Sequence, residues 1–445
     1  MPDAPAEDSR SDQSPVSASI GVTTGTLLIV ANMIGVGVFT TTGYMVGVIK
    51  SPIAVLISWL IGAVAALCGA LSYAELGAAL PRNGGEYQFL SRIYHPAVGF
   101  VSGLASLVVG FAAPLALFSM VFGTYLNGLV PAVPPLLSGL ALIVVLAVLH
   151  TLHVGSGSRL HNLFTLGKVG LIVAFILAGV LYGDLSRLTA ESEQTIAEAL
   201  GSRMFAVELV YVSFAYSGWN TAAYMAGEFR QPARDIPRAI LAGTIVVAFL
   251  YLGLNIVFLA SAPLKELANR EEVAQIAATS LFGDRGGQLV AFMIMAGLIS
   301  TASSNVMAGP RVYEAMGLDY PALKFLSVRR AGGGPVLAIA LQAGLAAVML
   351  LTSSFSALLK YVSVTLALFA GATVAGVLVL RQREPNLPRP CRTWGYPLTP
   401  VLFVALELWM IVYTVRDTPM TAAVSAGTVV AGLILYAIVR PRTRS

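Results

Sequence analysis

The sequence predicts an all-α polytopic membrane protein of twelve spans, and three observations predict it. Of its 445 residues 57% are hydrophobic and only 11% charged, with a mean hydropathy of +0.80. Few soluble domains can bury such a chain. The apolar residues gather into twelve segments, most close to or above the roughly twenty residues a helix needs to cross hydrocarbon. Lys and Arg fall almost entirely in the connecting loops, and far more on one side than on the other.

Taken in order, residues 1–19 are polar, contain Asp3, Glu7, Asp8 and Asp12, and have no apolar core. That excludes a secretory leader and reads as a disordered cytoplasmic tail. The segments follow near 20–48, 52–80, 95–128, 133–152, 158–183, 203–226, 236–261, 285–313, 335–353, 355–382, 398–415 and 420–440. With the N-terminus inside, 18 of the 27 Lys and Arg residues lie in cytoplasmic parts and 7 in external loops, while Lys168 and Lys360 fall within or at the edge of spans. The bias places both termini in the cytoplasm and the chain in the inner membrane. The basic balance, net +5, therefore reports orientation rather than nucleic-acid binding. The two cysteines, Cys68 in a span and Cys391 in a basic loop, suggest no disulfide framework.

The first segment carries Ala31-Asn-Met-Ile-Gly-Val-Gly-Val-Phe39 at its centre. Each glycine weakens a helix interior by about 1 kcal/mol relative to alanine. A broken helix survives in lipid only where its freed N–H and C=O groups meet protein, water or a ligand. Residues 35–38, with Gly35 and Gly37, thus read as an unwound hinge whose backbone binds a small charged molecule. Two glycines that merely admit a neighbouring helix are the plainer alternative. The sixth segment, Phe214-Ala-Tyr-Ser-Gly-Trp-Asn220, repeats the signal with Ser217-Gly218 at mid-membrane. Glycine-interrupted spans at matching places of two halves point to a transporter site between inverted repeats.

Charged and polar residues inside other spans add detail. Lys168 lies two to three turns into the fifth span, where an ammonium normally faces the bundle interior with a partner. It either snorkels, or gains and loses a proton during a cycle, or stays charged in place of a bound sodium ion. Glu75, near the end of the second span, reads as paired with Arg82 or Arg92, and Glu208 as paired with Arg203. Ser300-Thr301-Ala-Ser-Ser-Asn305 in the eighth span serves either helix packing or oxygen ligation. His150, His153 and His161 gather near one inner loop and read as interfacial. No metal-ligand spacing, nucleophile–base arrangement or cofactor motif is present in the sequence. These absences argue against an enzyme, and the lack of a continuous polar stripe argues against a channel. A membrane sensor that binds without transporting is the other class; the shortness of both tails speaks against it.

On these residues the chain resembles the amino acid–polyamine–organocation superfamily. The resemblance spans essentially all of residues 20–440. It rests on Ile34-Gly-Val-Gly-Val-Phe39, Tyr73-Ala-Glu-Leu-Gly77, Pro81-Arg-Asn-Gly-Gly-Glu-Tyr87, the Phe214–Asn220 stretch, Glu228-Phe-Arg-Gln-Pro and Arg311-Val-Tyr-Glu-Ala-Met316. The Gly-Trp-Asn triplet and Lys168 look most like the L-type amino acid transporters and the ApcT-like proton-coupled permeases.

The resemblance implies a LeuT-like five-plus-five inverted repeat, over 20–183 and 203–382, with discontinuous helices 1 and 6 and two further spans over 398–440. It implies that the amides of Val36 and Gly37 bind a substrate carboxylate. It assigns the substrate ammonium to the carbonyls of Met33, Phe214, Ala215 and Ser217, and makes Phe214 a gate. Lys168 would occupy a sodium position, among the Ala31 and Ile34 carbonyls and Ser300–Thr301. Many members have Gly-Ser-Gly where this chain has Gly35-Val36-Gly37; the amides survive that change and a hydroxyl contact does not. The function implied is sodium-independent transport of α-amino acids by alternating access. Proton symport and amino acid exchange are the two forms of coupling. With no acid evident at the pocket centre, the expected substrate is neutral, and no accessory subunit is evident.

Overall fold

The computed structural model describes residues 20–152, 158–190, 192–330 and 334–440. The tail over 1–19 and His153 lie outside these residues, as does the side chain of His161. All twelve predicted segments are helical. Span 1 is two helices, α1 (Val22–Met33) and α2 (Val36–Val48), followed by α3 (Pro52–Ala79) and the short α4 (Glu86–Ile93). Then come α5 (Pro96–Leu129), α6 (Pro135–Leu152) and α7 (Ser158–Tyr182). Span 6 is again two helices, α8 (Arg203–Ala215) and α9 (Thr221–Tyr224). The chain ends with α10 (Pro232–Ser261), α11 (Val273–Asp319), α12 (Val336–Thr352), α13 (Phe355–Arg383), α14 (Leu398–Asp417) and α15 (Pro419–Val439).

Ten of the spans are long and apolar enough to cross a membrane, counting α1–α2 as one. Of the other two, α12 has 17 residues and span 6 is broken. Proline opens α3, α10 and α15, where its missing N–H costs nothing. The eighth helix extends further than the sequence predicts. It starts at Val273 and bends at Gly283, whose φ of 72° only glycine adopts cheaply. Within α5, residues Ser106–Ala112 form a π-helical turn beside the central cavity. Such bulges often mark functional positions.

Both halves of span 1 are buried, and α1 packs against α10 and α7 while α2 packs against α8. The outer helices instead turn apolar side chains such as Leu137, Leu181 and Phe249 outward, as a lipid-facing surface requires. Spans 1 and 6 therefore run through protein rather than lipid, the one place where a gap in a helix is tolerable.

Ion pairs close the end of the bundle that carries Ile20. Glu75 receives two hydrogen bonds from Arg381, at 2.9 and 2.6 Å, and the backbone N–H of Thr393 at 2.7 Å. Arg389 lies 3.3 Å away. The expected partners Arg82 and Arg92 are not used, and Arg92 pairs with Glu384 instead. The buried carboxylate takes the arginines that the tenth span and its following loop bring over it, rather than those nearest in sequence. Arg311 and Glu228 make a second buried pair at 3.3 Å.

Candidate functional site

At the centre of span 1, α1 stops at Met33 and α2 starts at Val36, so the unwound stretch is residues 34–35. It is shorter than the predicted 35–38. Ile34 and Gly35 leave helical geometry (ψ 78° and −153°), and the Gly35 amide turns back to the Met33 carbonyl at 2.7 Å. The Ala31 carbonyl, which an unbroken helix would bond to that amide, is thereby released. Val36 and Gly37 open α2, where first-turn amides have no carbonyl behind them. The positive end of that helix points the same way. Gly37 itself is helical. Its missing Cβ is needed because one there would lie 2.6 Å from Cα of Ala215.

Lys168 takes up the released carbonyls. Its ammonium donates to Ala31 O at 3.2 Å, Ile34 O at 2.9 Å and Thr301 Oγ1 at 3.2 Å, which uses all three N–H groups. Thr301 Oγ1 also lies 3.2 and 2.9 Å from the same two carbonyls. Ser300 is not part of this contact; its carbonyl accepts from Ser304 one turn on. The rest of the hydroxyl cluster disperses, with Ser303 bonded to His150 at 2.8 Å and Asn305 to Gln342 at 3.0 Å.

The break in span 6 is longer. After Ala215 the chain makes a run of turns until Thr221, with Gly218 at φ 109°. It satisfies its own backbone, since Ser217 N reaches Phe214 O at 2.9 Å and Thr221 N reaches Gly218 O at 3.1 Å. Asn32, in the last turn of α1, donates to Thr221 Oγ1 and to Gly218 O and so ties the two gaps together. Tyr251 of α10 does the same from the other side, its hydroxyl reaching both Met33 O and Ala215 O. It stands in a buried aromatic group with Trp59 and Tyr216.

A cavity of about 100 Å3 lies between the two gaps. Met33, Gly35, Val36, Gly37, Phe214, Ala215, Ser217 and Gly218 all line it, whereas Lys168 stands outside its wall. Sequence reasoning missed the roles of Asn32, Tyr251 and two acids, while Asn305, from the polar cluster of the eighth span, does line the cavity. The expectation of no acid concerned the pocket centre; the wall does hold acids, since Glu86 and Glu407 both line the cavity and both are buried. Glu86 receives the Tyr73 hydroxyl and the Asn220 amide, the latter at 3.0 Å. Burial among these neutral partners raises its pKa. Glu407 was legible in principle as a lone acid inside an apolar span. Glu208 is also buried, with one carboxylate oxygen lacking a partner and no bond to Arg203. Residues five apart on a helix face about 140° away from each other, which separates that pair.

Two interrupted helices enclosing a small cavity inside a multi-pass bundle define a membrane carrier of the broken-helix class. The family model for amino acid permeases matches residues 20–439, and the chain belongs to that family. It is similar to the serine/threonine exchanger SteT of Bacillus subtilis, 27% identical over 98% of this chain and 100% of that protein. It also resembles the large neutral amino acids transporter small subunit 2 of Rattus norvegicus, 28% identical over 94% of this chain and 80% of the other. The Asc-type amino acid transporter 1 of Mus musculus is 26% identical over 96% and 82%.

Proposed function

We propose that this protein transports neutral α-amino acids across the cytoplasmic membrane by alternating access, independently of sodium. The observation that carries the reading is the cavity bounded by both helix gaps, with helix-opening amides on one side and chain-end carbonyls on the other. The amides of Val36 and Gly37 bind the carboxylate. The carbonyls of Phe214 and Ser217, with those of Met33 and Ala215 shared with Tyr251, receive the ammonium. Phe214 closes over the substrate, and Gly35 and Gly218 are the bending points. The repeats run over 20–183 and 203–382, with 398–440 outside them, and the Lys and Arg bias sets both termini in the cytoplasm.

Lys168 supports sodium independence, since its ammonium already neutralises the carbonyls a cation would need. Coupling is either proton symport, with Lys168 releasing its proton in the cycle, or exchange, which the likeness to the Bacillus serine/threonine exchanger favours. Uptake of labelled serine or alanine into proteoliposomes separates them. Symport predicts uptake driven by an inward proton gradient with no internal substrate, and exchange predicts uptake only against internal amino acid. No uptake in either setting removes the carrier reading. The purified single chain suffices for this assay if no accessory subunit is needed; uptake that appears only with an added partner chain would reverse that part.

A further inference from the structure

We infer that the cavity contains a second polar subsite, built by Glu407, Ser213 and Ser363, that binds a hydrogen-bond donor on the substrate's side chain. The inference rests on the transport reading above and deepens it by naming the substrate class. Glu407 comes from α14, which packs against α8 and α3. One turn earlier on α14, Phe403 lies edge-on to Trp219, with centroids 6.3 Å apart. Glu407 is 3% exposed and faces the cavity. Its Oε1 accepts from Ser213 Oγ at 3.1 Å, whereas its Oε2 is buried without any partner among the described residues. Ser213 immediately precedes Phe214, so one turn of α8 places both the gap carbonyls and this carboxyl's only donor among the described residues.

Ser363, from α13, lines the same cavity and donates its hydroxyl to Leu359 O at 2.7 Å. Both serine protons are thus consumed, which leaves Oε2 of Glu407 as the open hydrogen-bonding atom of this group. No Lys or Arg pairs with Glu407 among the described residues; Lys360 is held by Asp417, about 15 Å further along α14. An unpartnered buried carboxyl oxygen is costly, and a substrate hydroxyl, amide or ammonium would remove that cost. A merely structural bond between spans 6 and 11 would need neither the second oxygen nor an opening toward the cavity.

The test compares serine with 2-aminobutyrate, which replaces the hydroxyl by a methyl of similar size, as competitors of labelled alanine uptake in proteoliposomes. The wild type is expected to prefer serine by about tenfold, as for one buried hydrogen bond that the methyl analogue leaves unmade. Glu407→Leu is expected to bring that ratio near one, while Glu407→Gln, which retains an acceptor, keeps part of it. Ser213→Ala, which loosens the carboxyl without removing it, reduces the ratio less, and it reads the proposal even if the leucine variant fails to fold. Including 2,3-diaminopropionate tells a hydroxyl from an ammonium as the donor. A wild-type ratio of one, or a ratio that survives Glu407→Leu, overturns the subsite. If no α-amino acid competes at all, the carrier reading falls instead.

Discussion

The two helix gaps solve the same problem differently. Span 1 opens over two residues and hands its freed carbonyls to other spans, to Lys168 and Thr301 in the Ala31–Ile34 turn and to Tyr251 at Met33. Span 6 opens over five residues and folds most of the slack into turns that bond to themselves, with Asn32 and Tyr251 as its contacts from outside. A gap held from outside depends on whether its holder stays in place, while a gap held from within does not. Span 1 is therefore the one whose geometry another event, such as loss of the Lys168 contact, can change. Span 6 relies less on other spans, which reach it through Asn32 and Tyr251.

The largest test of that contrast is Lys168→Ala. It removes one charge-assisted donor from each of two carbonyls and leaves only the Thr301 hydroxyl, which has a single proton to share. At about 1.5–3 kcal/mol for a hydrogen bond to a charged group, the ordered gap loses enough to abolish uptake. Transport in proteoliposomes should fall by a hundredfold or more, with membrane insertion intact. Kinetics like those of the wild type would return Lys168 to a snorkelling role and dissolve the contrast.

Glycine tests come next, because each gap uses one for a different reason. A Cβ on Gly37 would sit 2.6 Å from the Ala215 backbone, so Gly37→Ala should push the two gap helices apart at a cost of about 1–3 kcal/mol. Gly218→Ala pays for a φ of 109° and meets the Asn32 amide at 2.9 Å. The cost is again about 1–3 kcal/mol but falls within span 6's own turn. Thermal melting should show both losses. Substrate affinity should suffer more in the Gly37 variant, where the spacing between α2 and Ala215 sets the pocket width. Equal affinity loss would mean that the gaps are not distinct.

Removing one hydroxyl is gentler. Tyr251→Phe keeps the ring against Trp59 and Tyr216 but takes the hydroxyl away from Ala215 O and from Met33 O, which keeps the Gly35 amide. About 1 kcal/mol of stability should go, read as a lower melting midpoint. The midpoint should recover when substrate is added, if its ammonium can take those carbonyls.

Much of this was legible in the chain. Periodic apolar runs give twelve helices to within a few residues at most ends, and glycines mark both gaps, two in span 1 and one in span 6. The extent of each gap was not legible, because it is set by partners: unwinding ends at Gly35 where Lys168 and Thr301 hold the carbonyls of α1. Tyr251 and Glu407 were hidden for a related reason. In a span that is apolar all round, periodicity does not say which face looks inward. Glu75 was assigned to Arg82 or Arg92 because proximity in sequence was the only guide, whereas Arg381 and Arg389 reach it through the tertiary fold. Glu407 carried its own signal, an acid among apolar residues, and only its destination was missing.

The smallest effect concerns the end of the cavity nearest the loop between spans 2 and 3. Glu86 is held by Tyr73 and Asn220, is close to Tyr224, and has no ion-pairing cation among the described residues. Burial lifts its pKa above the usual 4.5. A carboxyl whose folded pKa is raised binds its proton more tightly in the native state than in the unfolded one. Stability is therefore highest at low pH and falls as pH climbs from the unfolded value toward the folded one. Glu86→Gln keeps the size and an acceptor but removes the titration. The melting midpoint of the wild type relative to this variant should fall as pH rises through and above the ordinary carboxylate range. A relative midpoint that rises over that range would mean Glu86 is stabilised as the anion. The loop end of the pocket would then be anchored by charge, as span 1 is, and not by the neutral contacts that hold span 6.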